Sequence, residues 1–258
     1  MSGFLFEQII FGPIRSRRLG ISLGINLLPL SKKMCSYNCR YCECGLTLPK
    51  TDPLIFPEKQ HVISALEDKL KALSLKNAMI DSITFAGNGE PTIHADFGEI
   101  IDQTLLLRKK YYPEAKIAVL SNATKADKPS VEAALRKVDL NILKLDAGTE
   151  DMFQKINLPK KGFTLEGILS NLERFKGEMI IQALFVKGEA DGVYFDNTTD
   201  QEVEAWIGHI KRLRPRQVMI YPISRETPTN HILYVDAATL NRIAAQVENL
   251  GIEARVFN

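Results

Sequence analysis

All four cysteines of the 258-residue chain lie in one short stretch, "CSYNCRYCEC", at residues 35–44. Cys35, Cys39 and Cys42 have the spacing C-x3-C-x2-C, and Tyr41 immediately precedes the third cysteine. Three thiolates on so tight a loop suit a compact iron–sulfur cluster such as [4Fe–4S], whose irons lie at the corners of a small cube. Three protein ligands would leave one iron free to bind another molecule.

A structural zinc site with four cysteine ligands is the alternative, and it would use Cys44 as well. Such sites usually pair two cysteine knuckles from separate parts of the chain, so that the metal ties them together. Here all four cysteines are local, and we expect Cys44 to point away from a cluster. A disulfide framework is a further alternative, but in a reducing compartment a dense cysteine cluster more often binds metal.

The N-terminal sequence predicts that the protein is not exported. In "MSGFLFEQIIFGPIRSRR" the apolar stretch precedes the charges and is interrupted by Glu7, which is not the order of a signal peptide. No apolar run approaches the length of a membrane span, and 45% hydrophobic with 25% charged residues is ordinary for a globular protein. We therefore expect a cytoplasmic protein without membrane association.

Basic residues surround the cysteine loop although the net charge of the chain is only +2. Residues 12–50 contain seven lysines and arginines against one acid, Glu43. Within them, Arg15, Arg17 and Arg18 could meet a phosphate or carboxylate of a substrate. A solvated basic surface is the alternative, and a zinc-stabilised nucleic-acid-binding protein is the alternative from another functional class.

Short apolar runs alternate with longer amphipathic stretches. Runs rich in β-branched and aromatic residues predict strands at residues 19–27, 82–87, 116–121, 141–146, 179–186, 217–222 and 252–257. Amphipathic patterns predict helices at residues 58–75, 96–112, 128–138, 164–175, 200–213 and 236–250. Connections of this length imply right-handed crossovers and a parallel sheet covered by helices.

Six βα units are too few for a closed eight-stranded barrel. We predict an α/β fold, a partial (β/α)6 TIM-type barrel of parallel strands with outer helices, and an open doubly wound sheet is the alternative. The expected organisation is one domain, with an N-terminal extension at 1–18, a barrel core at 19–222 and a C-terminal helix and strand at 223–258.

Polar sequences follow the predicted strands at the edge where ligands bind in such folds. "GNGEPT" follows the second strand, "SNAT" the third, "DAGT" the fourth, "KGEADG" the fifth and "PISRETPT" the sixth. The cysteine loop follows the first strand. Because carboxyl ends of parallel strands meet at one edge of the sheet, we expect these sequences to face the cysteine loop.

The cysteine motif resembles that of a known enzyme family. C-x3-C-x2-C with an aromatic residue before the last cysteine is the signature of radical S-adenosylmethionine (radical SAM) enzymes, and "CSYNCRYC" matches it without a gap. "FGPIRSRRLGISLGINLLP", "GNGEPT", "LSNAT", "LKLDAG" and "INLP" resemble the wybutosine-synthesizing iron–sulfur oxidoreductase-related branch. The resemblance covers most of the chain.

The resemblance implies an activity and a cofactor set. Cys35, Cys39 and Cys42 would ligate a [4Fe–4S] cluster whose free iron binds SAM. Reductive cleavage of SAM would produce a 5′-deoxyadenosyl radical that abstracts hydrogen from a substrate. No cysteine precedes Cys35 or follows Cys44, so a second cluster like that of wybutosine synthase is not expected.

The resemblance also implies residues that contact SAM. "GNGEP", comprising Gly87, Asn88, Gly89, Glu90 and Pro91, occupies the position of the family's Gly-Gly-Glu-Pro-like motif, with Asn88 replacing one glycine. Glycines in such a turn let backbone carbonyls approach an ammonium group closely. The further SAM contacts that we expect are Tyr41, Ser121, Asn122, Asp146, Gln182 and Tyr221. Helix capping or turn formation is the alternative role, especially for Asp146.

Substrate contacts are predicted for Arg17, Arg18, His94 and Arg225. The resemblance implies a reducing electron donor such as a flavodoxin or ferredoxin. It does not identify the substrate, for which a tRNA base is one candidate. Activation of a glycyl-radical enzyme is the alternative reaction, and no catalytic residue is assigned beyond the cluster and SAM.

Overall fold

Strands and helices alternate along the chain, and most strands join one sheet. A computed structural model of the protein describes residues 3–47, 54–224, 227, 229 and 231–258. The strands in these residues are β1 (Ile10–Ser16), β2 (Gly20–Ile25), β3 (Ser82–Phe85), β4 (Lys116–Ser121), β5 (Leu140–Lys144), β6 (Ile180–Leu184), β7 (Lys187–Ala190), β8 (Val193–Asp196), β9 (Gln217–Tyr221), β10 (Ile232–Leu233) and β11 (Glu253–Val256). The helices are α1 (Lys59–Leu75), α2 (Phe97–Tyr111), α3 (Pro129–Lys137), α4 (Glu150–Asn157), α5 (Leu165–Glu173), α6 (Asp200–Leu213) and α7 (Ala237–Glu248).

The main sheet has eight strands in the order β1-β2-β3-β4-β5-β6-β9-β11. β1 and β2 are antiparallel, and every other neighbouring pair is parallel. This agrees with the predicted α/β fold, because each parallel pair needs a crossover that returns the chain to the same edge. The carboxyl ends of β2 to β6 therefore present their following loops together.

The two faces of the sheet bury different sets of residues. Ile117 and Val119 of β4 belong to the main core, to which the helices contribute, whereas Ala118 of the same strand belongs to a smaller cluster. Because side chains alternate along a strand, this smaller cluster lies on the face opposite the helices. One buried core includes both Ile10 and Ile252, and the division into one domain with two flanking segments stays a prediction.

Three elements differ from the sequence prediction. β1 lies where an N-terminal extension was expected and pairs with β2. "KGEADG" was expected as a loop, but it contributes to an antiparallel hairpin of β7 and β8, which β10 extends to a three-stranded sheet. Asp191 and Gly192 have φ values of 53° and 72°, and positive φ at both central residues is typical of a type I′ hairpin turn.

The third unpredicted element is α4, which lies between β5 and β6. It is only eight residues long, so its amphipathic pattern is short. Thr149 precedes it and its hydroxyl accepts a hydrogen bond from the Met152 amide at 3.2 Å, which satisfies one free donor of the first turn. No helix in the described part of the chain has both the length and the apolar character needed to cross a membrane.

Candidate active site

The cysteine loop (residues 34–45) is held between two other loops by backbone hydrogen bonds. On one side, the Met34 amide donates to the Asn88 carbonyl at 2.7 Å, and the Met34 carbonyl accepts from the Glu90 amide at 3.0 Å. On the other side, the Arg40 amide donates to the Ile156 carbonyl at 2.9 Å, near the end of α4. The loop therefore joins the turn after β3 to the C-terminal end of α4.

The two glycines of "GNGEP" permit very close backbone packing. A Cβ on Gly89 would lie 2.0 Å from the Met34 carbonyl oxygen, and one on Gly87 would lie 2.4 Å from Asn26 Oδ1. Their φ values of 136° and 152° are also rarely adopted by residues with a side chain. These glycines therefore hold the cysteine loop and the end of β2 against the turn.

Asn88 of the same turn uses its side chain to hold the N-terminal segment. Its Nδ2 donates to the carbonyls of Phe6 and Pro29 at 2.9 and 3.0 Å, and its Oδ1 accepts from the Phe6 amide at 2.8 Å. Asn88 is completely buried. Its amide therefore fastens residues near the N-terminus over the turn, a role that sequence reasoning did not predict.

Nitrogen donors reach two of the three sulfurs in the predicted ligand set. The Tyr37 amide and Asn122 Nδ2 lie 3.5 and 3.6 Å from Cys35 Sγ, and Asn157 Nδ2 lies 3.5 Å from Cys39 Sγ. N–H groups that point at sulfur stabilise thiolate over thiol. Asn157 was not predicted as a site residue, although "INLP" was among the phrases of the family resemblance.

Charges within the cysteine loop act on its thiols. Burial alone would lower the pKa of Lys33, but the thiolates of Cys42, Cys35 and Cys39 outweigh burial and raise it. The Lys33 ammonium, 4% exposed, also donates to the Gly45 carbonyl at 2.7 Å. A buried cation beside the cysteines favours their charged forms.

The thiols differ in their pKa values. The pKa of Cys42 is lowered to about 5, chiefly by a hydrogen bond from Cys44 and then by Lys33, and the same hydrogen bond raises the pKa of Cys44. Burial raises the pKa of Cys35 to about 12 and also raises that of Cys39. Cys44 Sγ lies 3.6 Å from the Gly87 carbonyl oxygen and close to Cys42, so Cys44 does not point away from the other cysteines as expected.

The donor set fits an iron–sulfur cluster rather than one tetrahedral ion. Throughout the described ranges, no three His, Cys, Asp or Glu side chains converge as they would around a single metal ion. In a [4Fe–4S] cube each thiolate binds a different iron. The cysteine sulfurs are therefore further apart than they would be around one shared metal ion. The hydroxyl of Tyr37, which follows Cys35 by two residues, is buried without a hydrogen-bond partner in the described chain, as expected beside a site for an added group.

Glu90 connects the turn after β3 to the end of β4. Its buried carboxylate accepts hydrogen bonds from the Thr92 amide and hydroxyl at 3.1 and 2.5 Å, from the Ser121 hydroxyl at 2.8 Å and from the Asn122 amide at 2.6 Å. Burial raises the pKa of Glu90, and these hydrogen bonds oppose that shift. Both oxygens are thus used within the protein. Pro91 begins the short 3-10 helix Pro91–Ile93 that follows.

Tyr41 lies in a buried charged cluster. Its hydroxyl contacts both Asp146 and Lys144, and Lys144 Nζ lies 2.7 Å from Asp146 Oδ2. Asp146 also accepts from Asn157 Nδ2 and the Leu184 amide, both at 3.0 Å. Burial disfavours the charge on Lys144, but Asp146 outweighs it and the pKa of Lys144 is raised. The cluster fixes the ring next to Cys42.

A cavity of about 280 Å³ lies beside this cluster. Tyr41 borders it from the cysteine loop, Arg18 from the turn between β1 and β2, and Tyr221 from the end of β9. Next to it, Gln182 Oε1 accepts from Arg18 Nη1 at 2.7 Å and from the Tyr221 hydroxyl at 3.2 Å. The cavity therefore reaches from the cysteine loop to a group of polar side chains inside the sheet.

Most predicted site residues form two connected groups. The first group contains Cys35, Cys39, Cys42, Tyr41, Gly87, Asn88, Gly89, Glu90, Pro91, Ser121, Asn122 and Asp146. The second contains Arg18, Gln182 and Tyr221, and the exposed Arg17 borders the same cavity. Asn26, Ser36 and Thr124 also belong to the first group and were not predicted individually, although Ser36 lies in the cysteine motif and Thr124 in "SNAT".

The remaining predicted substrate contacts are His94 and Arg225. His94 Nε2 donates to the Pro57 carbonyl at 2.8 Å, and its Nδ1 accepts from the Asp96 amide at 3.1 Å. With both ring nitrogens bonded to the backbone, His94 organises the chain before α2, and we do not retain it as a substrate contact. Arg225 lies outside the described residues.

The comparison with protein families decides which chemistry this geometry serves. A family model described as the Radical SAM superfamily matches residues 32–210, which include the cysteine loop. The chain belongs to the Radical SAM superfamily. Radical SAM proteins are enzymes that use SAM, an iron–sulfur cluster and a reductant. Membership of this superfamily favours the enzyme prediction over the alternative of a zinc-stabilised nucleic-acid-binding protein.

The chain is also similar to curated proteins and to solved structures. A protein named UPF0026 from Helicobacter pylori is 35% identical over 186 residues, covering 71% of this chain and 58% of that protein. A radical SAM methyltransferase from Sphaerobacter thermophilus has a TM-score of 0.65 at 15% identity, covering 91% of this chain and 65% of that chain. Archaeal TYW1 has a TM-score of 0.53 at 14% identity, covering 88% and 71%.

These likenesses confirm the predicted fold. The solved radical SAM structures share the arrangement of a mostly parallel sheet with outer helices, so the partial-barrel prediction is confirmed. At such low identity they show the fold alone. This radical SAM chain spans a little over half the length of the Helicobacter protein that it matches.

Proposed function

We propose that the chain holds a [4Fe–4S] cluster on Cys35, Cys39 and Cys42 and cleaves SAM reductively. The observation that supports this most directly is the presence of these cysteines in the matched family region, on a loop where N–H donors reach two of the sulfurs. The bound cluster would supply the electron that splits SAM into methionine and a 5′-deoxyadenosyl radical, which takes a hydrogen atom from the substrate.

The residues around the loop are proposed to position SAM and shape its site. Tyr41, held by Lys144 and Asp146, presents its ring to the cavity. Asn122 contacts the predicted ligand Cys35, and Ser121 contacts Glu90 in the turn after β3. We propose that the turn at residues 87–91 contacts SAM and also holds the cysteine loop, with Asn88 and Glu90 binding other parts of the protein through their side chains.

Gln182 and Tyr221 are proposed to border the far side of the SAM site. They share a hydrogen bond of 3.2 Å, which fixes the Tyr221 ring at the edge of the cavity. An aromatic ring and an amide are suited to contact with a flat, polar base such as adenine.

The reductant and compartment follow from the same chemistry. We propose an electron donor of the flavodoxin or ferredoxin type, because the cluster must be reduced before each cleavage. All four cysteines are free, which favours a reducing compartment such as the cytoplasm. For the substrate, the resemblance to the wybutosine-related branch favours a tRNA base.

Anaerobic reconstitution with iron and sulfide tests the proposal. The protein should gain the absorbance of a [4Fe–4S] cluster and, after reduction with dithionite, convert SAM to 5′-deoxyadenosine detected by mass spectrometry. A variant with Cys35, Cys39 and Cys42 changed to alanine serves as the control and should do neither. Reconstituted protein that forms no 5′-deoxyadenosine would refute the proposed reaction.

A further inference from the structure

Arg18 places a positive charge at the cavity, and no carboxylate of the described residues forms an ion pair with it. The residue is half-buried in the turn between β1 and β2 and borders the cavity that Tyr41 borders from the cysteine loop. Within the described residues, no Asp or Glu comes within 4.0 Å of its guanidinium nitrogens. A charge partly withdrawn from water gains from an opposite charge, so an anion bound in the cavity would be stabilised by Arg18.

The guanidinium of Arg18 is held in one orientation. Its Nη1 donates to Gln182 Oε1 at 2.7 Å, and its Cζ lies 4.3 Å from the centre of the Tyr221 ring. Gln182 is fixed in turn by the Tyr221 hydroxyl. The Nε and Nη2 groups of Arg18 have no hydrogen-bond partner in the part of the chain described, which leaves donors for the two oxygens of an oxyanion.

Two further arginines reinforce the positive charge. Arg15 and Arg17 are exposed, border the same cavity and form no ion pair with any described residue. Glu43 is the acidic residue among those that border the cavity, and it does so from the cysteine loop. The excess of basic groups near Arg18 attracts anions into the cavity.

We propose that Arg18, flanked by Arg15 and Arg17, binds an oxyanion group of the substrate, a phosphate or a carboxylate. Calling the ligand the substrate depends on the proposed function. The turn carrying Arg18 precedes β2 and the cysteine loop follows β2, so the two approach the cavity from opposite ends of that strand. The anionic group would therefore bind at the wall of the cavity formed by the β1–β2 turn, and Tyr41 and Glu43 of the cysteine loop border the same cavity.

Isothermal titration calorimetry with inorganic phosphate and, separately, with succinate tests this proposal. We expect at least one anion to bind the protein, and the tighter of the two identifies the chemistry of the group. Arg18→Gln should weaken that binding by at least about tenfold, the loss expected for charge-assisted hydrogen bonds. Arg18→Lys should retain part of it, and Arg242→Gln, which removes an exposed arginine elsewhere, should leave it unchanged.

Several outcomes would overturn the proposal. Arg18 would not be an anion site if neither phosphate nor succinate bound to the protein. The same would follow if Arg18→Gln bound the anion as tightly as the unchanged protein. If Arg18→Gln weakened the binding of labelled SAM to the reconstituted protein as much as it weakened anion binding, Arg18 would be assigned to the SAM carboxylate instead. The binding of phosphate and succinate needs neither cluster nor SAM. A failure of anion binding at Arg18 can therefore be distinguished from a failure of the proposed SAM cleavage. Circular dichroism spectra verify that both Arg18 variants fold.

Discussion

Met34 and Gly89 pair their backbones so closely that a Cβ on Gly89 would lie 2.0 Å from the Met34 carbonyl oxygen. The pairing connects the start of the cysteine loop to the turn after β3, two segments more than fifty residues apart in sequence. It depends on a glycine, because only a residue without a side chain leaves room for the Met34 carbonyl. The position of the predicted cluster ligands thus depends on a residue that ligates nothing.

Gly89→Ala should displace the cysteine loop. The alanine methyl group would collide with backbone atoms at a φ of 136°, and we expect a loss of about 2–4 kcal/mol in the free energy of unfolding. Iron bound after reconstitution should fall together with stability. Urea denaturation and iron analysis measure the two effects.

Gly208→Ala is the matched control for that substitution. Gly208 lies within α6, and apart from its own helix backbone no described atom lies within 4 Å of the position that an added methyl group would take, so alanine should be neutral or stabilising there. If Gly89→Ala bound iron and unfolded like the Gly208→Ala variant, the close pairing with Met34 would not position the loop.

Cys44→Ser should retain the cluster, whereas Cys42→Ser should lose most of the iron. Cys44 Sγ lies 3.6 Å from the Gly87 carbonyl oxygen, and Cys44 stands outside the C-x3-C-x2-C motif, so we expect it not to ligate the cluster. Iron and sulfide analysis after anaerobic reconstitution measures the difference. An equal loss of iron in both variants would show that Cys44 is itself a ligand.

Asp146→Asn should be strongly destabilising because it leaves the Lys144 ammonium buried without a counter-ion. The Asp146 side chain is fully buried and that of Lys144 is 12% exposed, so we expect a cost of about 3–5 kcal/mol in the free energy of unfolding. The double variant Lys144→Met/Asp146→Asn should be less destabilised than Asp146→Asn alone, as measured by urea denaturation.

An exposed ion pair provides the control for the Asp146 variants. Asp200 pairs with Arg242 at 2.8 Å but is 91% exposed, so Asp200→Asn should cost less than about 1 kcal/mol. If Lys144→Met/Asp146→Asn were as unstable as Asp146→Asn alone, the unpaired Lys144 ammonium would not be the cause of the destabilisation.

Asn88→Ala should release the N-terminal segment. Loss of three hydrogen bonds to Phe6 and Pro29, made by a fully buried side chain, should cost about 2–4 kcal/mol in the free energy of unfolding. Hydrogen–deuterium exchange of the peptide around Phe6 should accelerate, while Asn249→Ala, an exposed substitution at the end of α7, should leave it unchanged. Unaltered exchange in Asn88→Ala would show that other contacts hold this segment.

Much of the fold could be predicted because its strands and helices carry clear local patterns. The parallel strands were predicted within a few residues, since buried runs such as 116–121 stand apart from their polar flanks. β1 was missed because its segment, with Gly12 and Pro13, lacks such a run. The β7–β8 hairpin was missed although Asp191-Gly192 is a recognised turn signal, because its strands are short and polar.

The superfamily and the three predicted ligands could be recognised from the order of amino acids alone, because thiol chemistry and loop spacing are local properties. The surroundings of these ligands became known only from the folded chain. Asn157 reaches Cys39, and Arg18 reaches Gln182, across separations of 118 and 164 residues. Such contacts result from strand order and the curvature of the sheet, which no local spacing encodes.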